Sequence, residues 1–281
     1  MTRPPQILSV LRAEAQRLLG SRSTWGVLLL LAGVSALRTF VAVGWTAAER
    51  GGSDDPLTSG SAWGPLVDGW SLGLVLGTLV LLVHAARWVA ADCESGVLRF
   101  AVTRSATRTA VVLGRFVLTP GLVLAVVAVT GLAAWAVAGA TGDFGPLVED
   151  GFEIFTAEEL RAEVLRSVRA VLLPMLATCA FGLLISCLVP GVALAPSVAL
   201  GAFLAFDLFK TALGDVHYYV FASHAPTVVD SSAWSELAGV VRGFSDAGFP
   251  DQLIRVGTRV SWPAALIFTV VACLALRRRS L

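Results

Sequence analysis

The sequence predicts an all-α integral membrane protein with six transmembrane helices, an amphipathic N-terminal helix and a short cytoplasmic helix between spans two and three. Three observations carry that prediction. Of 281 residues, 56% are hydrophobic and only 15% charged, where soluble domains carry about 25% charged residues. Mean hydropathy is +0.77. Several apolar runs approach the roughly 20 residues a helix needs to cross the hydrocarbon.

The elements follow in chain order. Residues 1–24 form a cytoplasmic lead-in. Within it, over 3–22, Ile7, Leu11, Leu18 and Leu19 fall on one helical face, with Arg12, Glu14, Arg17 and Arg22 elsewhere. That is the pattern of a helix lying along a membrane surface, or equally of a solvated lead-in to the first span. The apolar run after it is too long for a signal peptide and no small-residue cleavage site follows, so it reads as an uncleaved span. Spans are predicted over residues 25–46, 66–90, 116–140, 168–189, 191–213 and 259–276. Only Pro190 and its neighbours separate the fourth from the fifth, which makes a tight hairpin. The stretch Gly51–Gly60 is a Gly/Ser/Asp loop. Thr156 and Glu159 have capping-box spacing, with Phe155 and Leu160 placed as a hydrophobic staple, so a helix starts near Ala157 and leads toward the fourth span. The long connection 214–258 carries His217, Tyr218, Tyr219 and His224, then a helix near 232–244. No repeat or boundary divides the chain, so 1–281 reads as one domain.

Net charge is +1, which gives no reason to expect a nucleic acid partner. The placement of charge is more informative. With the N-terminus inside, Arg3, Arg12, Arg17, Arg22, Arg87, Arg99, Arg104, Arg108, Arg115 and Arg277–Arg279 all face the cytoplasm, opposed by Glu14, Asp92 and Glu94. Glu49, Asp54, Asp55, Asp143, Glu149, Asp150 and Glu153 fall on the other side. Six spans then leave both termini in the cytoplasm. Cys93, Cys179, Cys187 and Cys273 lie in or beside apolar runs, so no disulfide framework or zinc spacing is expected.

Four charges fall within or near spans: Arg38, Asp68, Asp207 and Lys210. At about 1.5 Å of rise per residue, all four sit at similar height in the outer third. Intramembrane charges normally find partners, so an outer polar cluster is expected, with Arg38 paired to Asp207 or Asp68. For Asp68 and Lys210 the favoured reading is snorkelling to the headgroups. His217 and His224 are weak metal candidates, since their H-x6-H spacing matches no common site. Surface histidines are the favoured reading.

Enzyme signatures are missing: the sequence holds no H-E-x-x-H, no G-x-S-x-G and no P-loop. The chain reads as non-catalytic, and energy-driven work needs a second polypeptide. The stretch 87–115 is the most informative. Gly96 permits a sharp turn. Val97, Leu98, Phe100, Ala101 and Val102 form an apolar face on a short helix, with Arg99, Arg104 and Arg108 turned to headgroups or a partner. The plain alternative is a loop whose arginines only fix topology.

Glu94, Gly96, Leu98, Arg108, Leu113 and Gly114 resemble, without a gap, the coupling-helix signature of type-2 ATP-binding cassette (ABC) exporter permeases. Val97, Ser105, Thr107 and Arg115 stand where that signature prefers Thr, Pro, Ser and Lys. The start before Trp25 resembles the family's elbow helix, Phe181–Ser186 its fourth-span motif, Tyr219–Pro226 the segment after its fifth span, and Leu276–Arg279 its basic end. The resemblance implies a permease of a prokaryotic inner membrane, working as two copies or with a homologue. ATP and Mg would sit on two separate ATPase subunits, this chain would bind no cofactor of its own, and lipid would be its other partner. Glu94, Gly96, Leu98, Arg99, Phe100, Arg104 and Arg108 are the ATPase contact it implies. The alternative is a permease-like anchor in a periplasmic metal-maturation, envelope or motility complex. Cargo does not follow, because one fold hosts many functions.

Overall fold

The computed structural model describes residues 6–50, 61–98, 107–149, 152–241 and 251–279. In chain order these form α1 (Gln6–Gly20), α2 (Arg22–Arg50), α3 (Trp63–Glu94), α4 (Arg108–Thr141), the antiparallel strands β1 (Leu147–Glu149) and β2 (Phe152–Phe155), α5 (Ala157–Leu188) and α6 (Leu194–Phe209). Two 3-10 segments follow, Lys210–Tyr219 and Phe221–His224, then α7 (Ala233–Val241) and α8 (Asp251–Arg278). Six stretches are long and apolar enough to cross a membrane: Arg22–Trp45, Trp63–Glu94, Arg108–Thr141, Ala157–Leu188, Leu194–Tyr219 and Asp251–Arg278. This is the architecture of a multi-pass membrane protein.

The helices outrun the apolar runs. α3, α4 and α5 have 32, 34 and 32 residues, about 50 Å each at the standard rise, against a hydrocarbon core of about 30 Å. α5 begins where the capping box places it. Thr156 Oγ1 accepts from the Glu159 amide at 3.2 Å, and a Glu159 carboxylate oxygen accepts from the Thr156 amide at 2.9 Å. The fifth span departs from expectation. Its α-helix stops at Phe209 and continues as tighter 3-10 turns, interrupted at Gly214, where φ is +54°. The β1–β2 hairpin is a further departure, since the runs of three and four residues are too short to register against the helical signal around them.

α5 sits centrally and packs on α8 and α3, while α2 and α4 both pack on α3. The α3 contacts depend on glycines spaced every fourth residue. A Cβ on Gly69 would lie 1.8 Å from Thr39 Oγ1, and one on Gly77 would lie 2.4 Å from Val126 Cγ1. Small residues at such spacing let helix backbones approach closely in a membrane. The Ser35 hydroxyl lies 3.0 Å from both the Gly69 and Thr130 carbonyls, joining α2, α3 and α4. One end of the bundle is closed by α7, whose Trp234 and Leu237 are fully buried. The Trp234 ring meets Trp70 edge-on at 4.9 Å. The opposite end gathers α1, the end of α3, the start of α4 and the end of α8, and is here called the basic end.

Candidate functional site

At the basic end, one buried arginine holds three elements. Arg115 lies two turns into α4 and is inaccessible to solvent. Its Nε and Nη2 lie 3.0 and 2.7 Å from Glu14 Oε1 on α1. Nη2 also pairs with Asp92 Oδ2, near the end of α3. Arg17 reaches the other Asp92 oxygen at 3.2 Å from the solvent side. The Trp88 ring lies 5.9 Å from the Arg115 guanidinium carbon, and His84 packs against Trp88 at 5.1 Å. Glu14 and Asp92 are buried. Two arginines against two carboxylates make the knot neutral, as burial requires, because an unpaired ion inside protein is strongly unfavourable. Three buried atoms nonetheless have no hydrogen-bond partner among the described residues: Glu14 Oε2, Arg115 Nη1 and His84 Nε2. Glu14 corrects the expected α1 faces. It sits with Leu18 on the buried side, while Leu19, expected there, is exposed.

The knot flanks the stretch singled out in the sequence. Gly96 adopts φ +74°, a left-handed turn that ends α3 without side-chain strain. Leu98 follows, 1% exposed, in a core cluster with Val89, Val111, Leu183 and Leu276. Its side chain therefore anchors the stretch in the chain's own core and is not free to dock a partner. Glu94 is exposed and accepts a 2.7 Å hydrogen bond from the Val192 amide, between α5 and α6. Arg108, expected to face headgroups or a partner, turns inward instead. Its Nη1 lies 3.2, 3.1 and 2.6 Å from the Leu276, Arg277 and Arg279 carbonyls, which a helix C-terminus leaves unpaired. Arg279 in turn donates to the Cys187 carbonyl at the end of α5, at 3.2 Å. Thr107 caps α4 by accepting from the Ala110 amide. Arg99, Phe100 and Arg104, with the short helix expected to carry them, lie outside the described residues.

At the end of the bundle closed by α7, the acidic end, the expected partners are exchanged. Asp207 pairs with Lys210 at 2.8 Å, one turn along the same helical path. Both are buried, and Arg38 is exposed on α2. The same aspartate accepts from Thr227 Oγ1 at 2.6 Å and from the Val229 amide at 3.0 Å. Lys210 also donates to the Val229 carbonyl. The Arg38–Asp207 pairing and the snorkelling Lys210 are thus both replaced. The reason is the segment after the fifth span, which folds back and supplies the donors Asp207 needs. Asp68 is half-buried at the start of α3.

His224 is not a surface residue. It is 3% exposed, its Nε2 lies 2.7 Å from the Tyr218 carbonyl, and burial pushes its imidazole below the ordinary value. His217 packs on Tyr218, with ring centroids 3.9 Å apart. Among the described residues, no group of three or more His, Cys, Asp or Glu is arranged to hold a metal. Burial also raises the Asp230 carboxyl to about 6, although it accepts a hydrogen bond from the Ser232 amide at 2.8 Å.

Two features carry signals in the sequence that charge counting overlooks. Leu11, Glu14 and Leu18 recur at i, i+3 and i+7, so Glu14 shares the apolar face. Gly69, Gly73 and Gly77 repeat every four residues, the spacing of close helix contact. No family model matches this chain, and no curated protein does either.

Proposed function

We propose that this chain is the transmembrane subunit of an ABC exporter, inserted in a prokaryotic inner membrane with both termini in the cytoplasm. The observation that carries the reading is the stretch 95–107 at the basic end, tied on both flanks. On one side lie Glu94 and Asp92, on the other Arg108 and Arg115; Glu94 reaches the turn between α5 and α6, and the other three each reach a different helix. A short segment so anchored passes a displacement to α1, α3, α4 and α8 together. With no P-loop in the sequence, ATP belongs to a separate ATPase subunit seated against this stretch. α1 is then the amphipathic helix at the inner surface, and the coupling region falls within residues 91–110. Two such chains frame the path, and the acidic end forms its outer mouth.

The test is co-purification from mild detergent. Glu94→Ala combined with Arg99→Glu should release the ATPase subunit by about tenfold or more, while the chain still inserts in the membrane. Undiminished ATPase recovery with that variant would count against the reading.

A further inference from the structure

We infer that Arg115 is a positioning residue that joins α1, the end of α3 and the start of α4 into one moving body. Its consequence for coupling rests on the export reading above; the joint itself does not. The geometry is unusual for a topological arginine. Arg115 is wholly buried, and it contacts Glu14, 101 residues before it, and Asp92, 23 residues before it. Those carboxylates sit on separate helices, one of which, α1, packs almost entirely on α4. α1 has little other hold. Val10 closes over Gly114, where a Cβ would lie 2.9 Å from Val10 Cγ1, and Trp25 caps the last turn by donating from Nε1 to the Leu19 carbonyl.

The knot divides its labour between two carboxylates. Glu14 ties α1 directly to Arg115, and Asp92 ties α3 to Arg115 and, through the exposed Arg17, to α1 as well. Among the described residues Glu14 Oε2, Arg115 Nη1 and His84 Nε2 have no hydrogen-bond partner, so the ion pairs hold the joint. A displacement of residues 95–107 then reaches α1 through Arg115, and α1 moves with the spans.

Hydrogen exchange on the full chain in detergent tests this. Arg115→Gln should speed exchange of the α1 amides by about tenfold or more, with the α5 amides unchanged. Arg115→Lys keeps the charge and should restore part of the protection. Glu14→Gln should free α1 nearly as much, whereas Asp92→Asn costs α1 only the solvent-exposed Arg17 pair and should leave α1 within about twofold of the parent. Equal loosening of α1 by Glu14→Gln and Asp92→Asn, unchanged α1 exchange in Arg115→Gln, or equal acceleration in α5 would each overturn the joint. Should Arg115→Gln not accumulate, the Glu14 and Asp92 variants decide by themselves. Failure of the export reading shows differently, as a parent chain that retains no ATPase on purification.

Discussion

The two buried ion networks sit at opposite ends of the bundle and are built on opposite plans. The Asp207–Lys210 pair is local, three residues apart on one helical path, and both carboxylate oxygens are filled by Lys210, Thr227 and Val229. The Arg115 knot joins residues from three helices and, among the described residues, leaves Glu14 Oε2 and Arg115 Nη1 without partners. A fully satisfied network is rigid. The Asp207–Lys210 pair therefore reads as a pin that fastens the segment 227–229 to the fifth span. The Arg115 knot trades that rigidity for reach across helices. Local fastening and reach between helices place different demands on buried charge, and this chain separates them by position.

That contrast is open to attack in order of expected effect. Arg115→Met strands the buried Glu14 and leaves the buried Asp92 only the exposed Arg17, and should lower unfolding stability by about 3–5 kcal/mol, read as a drop in thermal midpoint in one detergent. Lys210→Met strands only Asp207, which keeps its Thr227 and Val229 donors. Its cost should be smaller, about 2–3 kcal/mol, and Asp207→Asn in the same chain should recover much of it. A larger loss for Lys210→Met than for Arg115→Met would reverse the comparison. Between the two ends, Gly69→Ala forces a Cβ onto Thr39 and should cost about 1–3 kcal/mol. Gly33→Ala meets nothing within 4 Å and should stay within about 0.5 kcal/mol. Equal effects would remove the glycine contact as the element that holds the two ends in register.

The smallest effect is pH-dependent and confined to the acidic end. Asp230 titrates at about 6 in the folded chain against an ordinary value of 3.8. The folded state thus holds this proton more tightly than the unfolded one. Its contribution is fullest below about pH 4, declines as pH rises to about 6, and is flat above. Asp230→Asn should therefore raise stability by about 1–2 kcal/mol near neutral pH and leave it unchanged near pH 4. A thermal midpoint indifferent to the substitution at both pH values would mean that Asp230 is not held in its buried position.

What the sequence made legible was governed by how local the physics is. The six spans follow from apolar run length, and the Thr156–Glu159 box from contacts three residues apart. The Asp207–Lys210 pair had the same i,i+3 spacing and was readable on that ground, but depth estimates favoured Arg38 instead. Depth says which charges share a level, not which helices are neighbours. Arg108 is the opposite case. Its acceptors lie 168 residues or more away, and no pattern around Arg108 announces them. The β1–β2 hairpin is too short to compete with its surroundings. Glu14 lies between these cases, since its spacing placed it on the buried face while its charge drew it to the polar one.

Arg108 also sets a sequence of events during synthesis. Its acceptors begin 168 residues later, and at roughly 5–20 residues per second a ribosome takes about 10–30 s to make them. Glu14, Asp92 and Arg115 are complete long before. The nascent chain thus ties its first helices together early and holds Arg108 without its final acceptors. The end of α8 arrives last, and its carbonyls close the bundle around a guanidinium already in place.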